Sequence, residues 1–254
     1  MKKCLIILNR YKEEAILISK DIEDFLKKKN IESIFLFFEK DTKGFSLEGI
    51  SFVITLGGDG TVLYAARIAC KHQIPVFPIN LGQFGFIAGI DPQKWQEPLS
   101  QFLENKLSVA KRTLLNVKVM RKDEIIFTST PLNDAVIRTG GPAQIAELIV
   151  EYNDRSFGKF TADGIIVATS TGSTAYSAAA GGPIVDPDLD VFVLSPICPF
   201  SLSNRPLVLN SEGKLMIKVL PSRGAEIVLS CDGQEITKLM RDDIIIIERN
   251  KEKA

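Results

Sequence analysis

The sequence is poor in the residues that most often carry catalysis and metal binding, with one histidine and four cysteines among 254 residues. A lone imidazole, His72, gives no natural base for a nucleophile–His–acid triad and no set of histidine metal ligands. It falls at the end of a helical stretch, where an imidazole complements the helix dipole. Any general base is therefore expected to be a carboxylate. Cys4, Cys70, Cys198 and Cys231 follow neither a CxxC nor a zinc spacing and sit among apolar neighbours, so reduced core thiols are expected. No apolar run approaches the eighteen or so residues of a membrane span, and Cys4-Leu5-Ile6-Ile7-Leu8 is too short for a signal peptide. The expectation is a cytoplasmic protein with no membrane partner. An excess of one charge is missing too: 31 basic residues balance 31 acidic ones, so the basic footprint of a nucleic-acid binder is absent. Gly57-Gly58-Asp59-Gly60-Thr61 carries no lysine where a GxxxxGK[ST] phosphate loop requires one. It also lacks the third glycine of GxGxxG, which disfavours a nicotinamide dehydrogenase.

What is present is a chain long enough to bury a full core without staples. Up to about residue 107, strand and helix signals alternate. Lys3–Leu8, Ile34–Phe38, Phe52–Leu56 and Val76–Ile79 read as strands, with helices over Glu13–Lys29 and about Thr61–Lys71. This predicts a Rossmann-like α/β domain with a parallel sheet over residues 1–107. From 108 to 254 short apolar runs recur, among them Leu115–Met120, Ala135–Arg138, Ala146–Tyr152, Ile165–Thr169 and Ile244–Glu248, as in a β-sandwich-like domain.

Four segments carry the chemistry. Strand 52–56 opens through Gly57–Thr61 into a helix, and open α/β sheets bind ligands at such carboxyl ends. Glycines there are expected to supply positive φ, and free N–H groups suit phosphate. Asp59 is out of place beside an anion; either it caps the helix or it handles a proton or cation. Asn80-Leu81-Gly82-Gln83-Phe84-Gly85-Phe86 follows the next strand, so two strand ends would share one crevice. Asn133-Asp134 pairs an amide with an acid, suited to sugar hydroxyls or an Asx turn. Finally, Asp163-Gly164 leads through a strand to Ser170-Thr171-Gly172-Ser173-Thr174-Ala175-Tyr176-Ser177, whose small side chains leave a helix start open to a flat ligand or closely packed on a sheet.

These segments, followed by Ser195-Pro196-Ile197-Cys198-Pro199 and Arg205-Pro206, occur in the order found in NAD kinases, and the chain resembles that family over nearly its whole length. Similar GGDGT turns occur in diacylglycerol kinases, sphingosine kinases and phosphofructokinases; the segment from Asp163 to Ser177 is far more specific. The resemblance implies transfer of a phosphoryl group from ATP to the 2′-hydroxyl of the adenosine ribose of NAD, giving NADP. It makes Asp59 the general base, with Gly58 and Gly60 cradling phosphate or the dinucleotide backbone. Asn133, Asp134, Asp163, Thr174, Ala175, Tyr176, Ser177, Gln234 and Phe86 would contact substrate. Magnesium would arrive with the nucleotide, and a homo-oligomer, dimer or tetramer, is expected. Two departures stand out: Thr161 where many members carry arginine, and Phe200 where histidine often follows Ser-Pro-Ile-Cys-Pro.

Two rivals differ in kind. A lipid kinase would share the GGDGT turn but need an apolar acceptor site. A binding protein that senses NADP would keep Asn133 and Tyr176 without a use for Asp59.

Overall fold

The computed structural model describes residues 2–9, 11–38, 45–82, 87, 89–141, 144–201, 203–221 and 224–254. The chain divides into two compact units, Met1–Lys111 with Ala254, and Arg112–Lys253.

The first unit runs β1 (Lys2–Leu8), α1 (Glu13–Lys28), β2 (Ile31–Phe37), β3 (Ile50–Gly57), α2 (Asp59–Ala69), β4 (Val76–Asn80) and α3 (Gln96–Leu103). Its four strands are parallel in the order β2-β1-β3-β4. Helices cover both faces, so the strands read as continuous apolar runs instead of alternating. Cys4, Ile6, Ile54 and Phe77 pack with Ile22 and Leu26 of α1 and Leu99 of α3 on one face. Leu5, Ile7 and Val53 pack with Tyr64, Ala65 and Ala69 of α2 on the other. Glu13 and Glu14 in the first turn of α1, and Lys27 and Lys28 in its last, complement the helix dipole.

The second unit holds two antiparallel sheets. One has the order β6 (Glu124–Ser129), β5 (Thr113–Arg121), β16 (Ile244–Lys253), β13 (Leu215–Val219), β8 (Ala146–Tyr152), β9 (Arg155–Ala162). The other runs β12 (Leu207–Asn210), β11 (Val191–Ile197), β10 (Gly164–Thr169), β7 (Asp134–Thr139), β14 (Ile227–Cys231), β15 (Glu235–Leu239). Val117, Val150, Ile217 and Ile245 from the first pack with Ile137, Val167, Phe192 and Leu229 from the second in one core, a β-sandwich. A short helix, α4 (Tyr176–Ala179), follows β10. Ala180 and Val185 then cover the outer face of the second sheet over Val136, Ile166 and Val193. β10 is therefore buried on both faces along its length, which explains its unbroken Ile165-Ile166-Val167-Ala168.

Three strands lack the expected signals. β9 and β15 are edge strands whose exposed positions mix polar residues with Phe157 and Ile236, so no clean apolar–polar alternation marks them in the sequence. β11 ends in Ser195-Pro196-Ile197, and proline argues against a central strand; here β12 pairs only as far as Leu194, so at Pro196 one side of β11 is open. Cys198 also departs from expectation. It is exposed, with φ of 46°, because it lies just past the end of β11, whereas Cys4, Cys70 and Cys231 are buried free thiols.

Candidate active site

The candidate residues form a group in each unit. In the first, β3 passes directly into α2: Gly58, extended at φ −96°, is the N-cap, and Asp59 is the first helical residue, not the cap. The expected positive φ at Gly57, Gly58 and Gly60 does not occur. The strand-to-helix passage needs no left-handed residue; glycine serves by having no side chain. A Cβ on Gly57 would lie 2.1 Å from Thr61 Oγ1, while one on Gly58 meets nothing within 4 Å. The ground above Gly58 is thus open to a ligand. Asp59 is half-buried, and its Oδ1 stands 3.4 Å from the Ile87 N–H, a long contact that leaves room to rearrange. The end of β4 is joined to this turn, since Gly57 pairs with Asn80 and the Leu81 N–H donates to the Gly57 carbonyl at 2.8 Å. Two neighbouring strand ends therefore do share one edge. Phe86 lies outside the described residues.

In the second unit the centre is the turn before β7. Leu132, Asn133 and Asp134 direct their backbone N–H groups at the Asp232 carboxylate, at 2.9, 2.8 and 3.2 Å, and the Asp232 N–H returns a bond to the Asp134 carbonyl at 3.0 Å. Asp232 sits at the tip of the β14–β15 hairpin with φ of 51°, followed by Gly233 at 66°, and the Gln234 N–H closes the turn on Cys231. From the other side, Thr169 donates its N–H to the Asn133 carbonyl and its hydroxyl to the Leu132 carbonyl, then accepts the Gly172 N–H. Gly172 lies so close that a Cβ would stand 2.0 Å from the Asn133 carbonyl oxygen.

With its backbone fixed on both sides, this turn presents polar groups that have nothing to bond. Asn133 Oδ1 is buried without a partner among the described residues, and so is Thr171 Oγ1. Asp134 is 6% exposed, and no donor meets its carboxyl among the described residues; burial and then the neighbouring Asp232 charge push its pKa up to about 7. Buried orphans of this kind are rare, and a polar ligand would satisfy them.

The remaining candidates divide. Thr174 and Ala175 are half-buried and Tyr176 is exposed, leaving an open aromatic face. Ser177 is fully buried with its hydroxyl on Ser195 Oγ at 2.9 Å, and Gly182 packs onto both hydroxyls. Ser177 thus supports the segment from beneath. Gln234 is half-buried beside Asp232 on the hairpin. Asp163 is not brought to this turn: it precedes β10, while Ala168 at the far end pairs with Asp134. Asp163 and Ala168 are five residue steps apart along the strand, about 17 Å. Thr161 and Phe200, the two departures, are neighbours, the Phe200 N–H donating to the Thr161 carbonyl at 2.9 Å. Asp232 and Thr169 escaped the sequence reading, although Asp-Gly between apolar runs signals a hairpin whose acid could turn inward.

The family model for the ATP-NAD kinase N-terminal domain matches residues 4–107, and that for the C-terminal domain matches residues 132–254. An NAD kinase of Treponema denticola is 50% identical over 255 residues, covering 100% of this chain and 90% of that protein. One of Treponema pallidum is 45% identical over 249 residues, covering 98% and 82%. Among solved structures, an NAD kinase from Archaeoglobus fulgidus in complex with ATP superposes with a TM-score of 0.79 at 26% identity, covering 99% of this chain and 92% of that one. Yeast NADH kinase complexed with NADH shares the fold, with a TM-score of 0.83 at 24% identity over 98% of this chain and 78% of that one. The chain belongs to the NAD kinase family.

Proposed function

We propose that Asp59 is the general base with which this kinase moves the terminal phosphoryl group of ATP onto the 2′-hydroxyl of the adenosine ribose of NAD, giving NADP. Phosphoryl transfer needs positioning and charge stabilisation more than covalent chemistry, so the protein's tasks are to hold two nucleotides and to take one proton. The reading is carried by the turn at Asn133–Asp134. Asn133 Oδ1 and the Asp134 carboxyl meet no donor among the described residues, and ribose hydroxyls and the amino group of adenine are donors that suit them. Asp232 fixes the turn, while Thr174, Ala175 and Tyr176 border the flat part of the ligand and Ser177 holds them up. Gln234 adds a contact from the hairpin, and Phe86 and Asp163 are further contacts carried over from the family resemblance.

In the first unit, Gly58 and Gly60 offer phosphate a backbone without side chains, and the start of α2 favours negative charge. Asp59 accepts the hydroxyl proton as the oxygen attacks. The donor set fits a divalent cation, magnesium first, that travels on the nucleotide. Among the described residues no three acids, histidines or cysteines converge, and Asp59 brings one carboxylate, a hard oxygen donor, to the Gly57–Thr61 turn. Such a cation neutralises charge on the transferring group.

No helix among the described residues is long and apolar enough to cross a membrane. We place the protein in the cytoplasm as a homo-oligomer, dimer or tetramer, which sedimentation tests. The reaction itself is tested by mixing protein, NAD, magnesium and ATP and reading NADP with an NADP-specific dehydrogenase. Formation of NADP only in the complete mixture is expected; none above background would remove the reading. Polyphosphate in place of ATP, or NADH in place of NAD, defines donor and acceptor range in the same assay.

A further inference from the structure

The Gly57–Thr61 turn has no lysine of its own, yet the fold brings one to it from the start of α1. After β1 the chain lies along the end of β3, where the Asn9 N–H donates to the Leu56 carbonyl at 3.1 Å. Lys12 follows, and its Nζ donates to the Leu81 carbonyl. The same Leu81 gives its N–H to the Gly57 carbonyl. The ammonium and the Gly57 carbonyl are therefore both tied to Leu81, one through its carbonyl and the other through its N–H, at the carboxyl edge of the parallel sheet. An ammonium has three donors, and this one spends a single donor among the described residues. Lys12 is half-buried, and no carboxylate pairs with it among the described residues.

A partly desolvated cation without a counter-ion is costly unless an anion arrives. The cleft of about 360 Å³ at the end of β4 does not supply that anion site, because Glu14 and Asp91 stand on its wall and would repel phosphate. The turn at Gly57, by contrast, offers open ground and a helix start. We propose that Lys12 is the phosphate-contacting cation of the first unit, meeting the polyphosphate chain of the donor as an in-loop lysine does in other nucleotide-binding loops. The inference rests on the kinase reading above. It adds a residue remote in sequence from the GGDGT turn and gives its hydrogen bond to Leu81 a purpose, since that bond holds the ammonium at the edge where the donor binds.

Two variants separate charge from structure. Lys12→Met removes charge and donor alike, and Lys12→Gln keeps a donor for the Leu81 carbonyl without the charge. Both are expected to raise the KM for ATP-magnesium roughly 10- to 100-fold, the range of a lost charge-assisted hydrogen bond. The KM for NAD should stay within about twofold, and Lys12→Arg should recover most of the loss. Inorganic tripolyphosphate is the direct probe: it should raise the thermal midpoint of the wild-type protein and of Lys12→Arg but not of the other two. An unchanged KM for ATP, equal rises for both substrates, a defect confined to Lys12→Met, or failure of Lys12→Gln to fold would each overturn the proposal in favour of a structural tie. Absence of NADP formation by the wild-type protein would instead remove the kinase reading, while the tripolyphosphate result would still stand or fall by itself.

Discussion

The Asp232 carboxylate, at the tip of one hairpin, accepts the backbone N–H of Asn133 at 2.8 Å, one of three such bonds that fix the turn before β7. A residue at one end of the second sheet thereby sets where the Asn133 and Asp134 side chains stand. Its N–H is committed to the Asp134 carbonyl and its carboxylate to the three turn N–H groups, so any effect of Asp232 on a ligand is expected to pass through the turn.

Asp232→Ala should lower stability by about 2–4 kcal/mol, because three N–H groups lose a charged acceptor and the positive φ of 51° disfavours alanine. Asp232→Asn tolerates that φ and keeps one acceptor oxygen, so it should fold near-normally. The informative readout is calorimetric NAD affinity measured alongside the KM for ATP. Affinity for NAD should drop in both variants while the KM for ATP holds; a matched decline in both substrates would deny Asp232 a role specific to this turn.

Three glycines separate packing from ligand space. Gly172→Ala puts a methyl 2.0 Å from a backbone oxygen of Asn133, which cannot move without breaking the turn, so a loss of about 1–3 kcal/mol or more is expected together with weak NAD binding. Gly57→Ala collides with the buried Thr61 and should also destabilise. Gly58→Ala meets nothing in the protein, so its melting temperature should match wild type while kcat/KM for ATP falls. If Gly58→Ala proved fully active, the open ground above that residue would not be where phosphate sits.

Asp59→Asn keeps size and removes the carboxylate proposed as the base. Turnover should decrease by about 10²- to 10⁴-fold while NAD and ATP still bind, as seen by calorimetry or by ligand-induced shifts in melting temperature. Unchanged turnover would return Asp59 to a structural role at the start of α2.

Much of this architecture is legible in the amino-acid order, and the parts that are not share a cause. The parallel strands announce themselves because helices bury both faces, as at Ile54 and Val53. β10 does so for the same reason. β9 and β15 stay hidden because an edge strand buries little: in Glu235–Leu239 Leu239 alone is buried and Ile236 faces solvent. In the site, Asn133 and Asp134 are visible as an amide beside an acid. Their unpaired burial and the bonds from Asp232 and Thr169 depend on residues tens of positions away, which no local pattern encodes. The glycines of the Gly57–Thr61 turn are legible as glycines, but at Gly57 and Gly58 the reason is space and not φ. Lys12 is hidden at the N-cap of an ordinary amphipathic helix.

The raised pKa of Asp134 yields the most specific expectation. In the unfolded chain this carboxyl titrates near 4, and in the folded protein burial, then the Asp232 charge, move it to about 7. The folded state thus holds the proton more tightly, so its stabilising contribution is complete below about pH 4 and disappears as pH rises through about 7. The whole effect is roughly 4 kcal/mol at most, and about 2 kcal/mol of it falls between pH 5.5 and 8. At roughly 2–4 °C per kcal/mol, the melting temperature without ligand should fall by about 4–8 °C over that range. Asp134→Asn should flatten that fall, and Asp232→Asn should move it to lower pH by removing the neighbouring charge. NAD works in the opposite sense. Donor groups of the ligand prefer the ionised carboxylate, so its stabilising shift in the wild-type protein should grow from pH 5.5 to 8 and show no such growth in Asp134→Asn. Melting curves with and without NAD at four or five pH values decide the matter, and a ligand shift independent of pH would mean that the Asp134 carboxyl does not receive the dinucleotide.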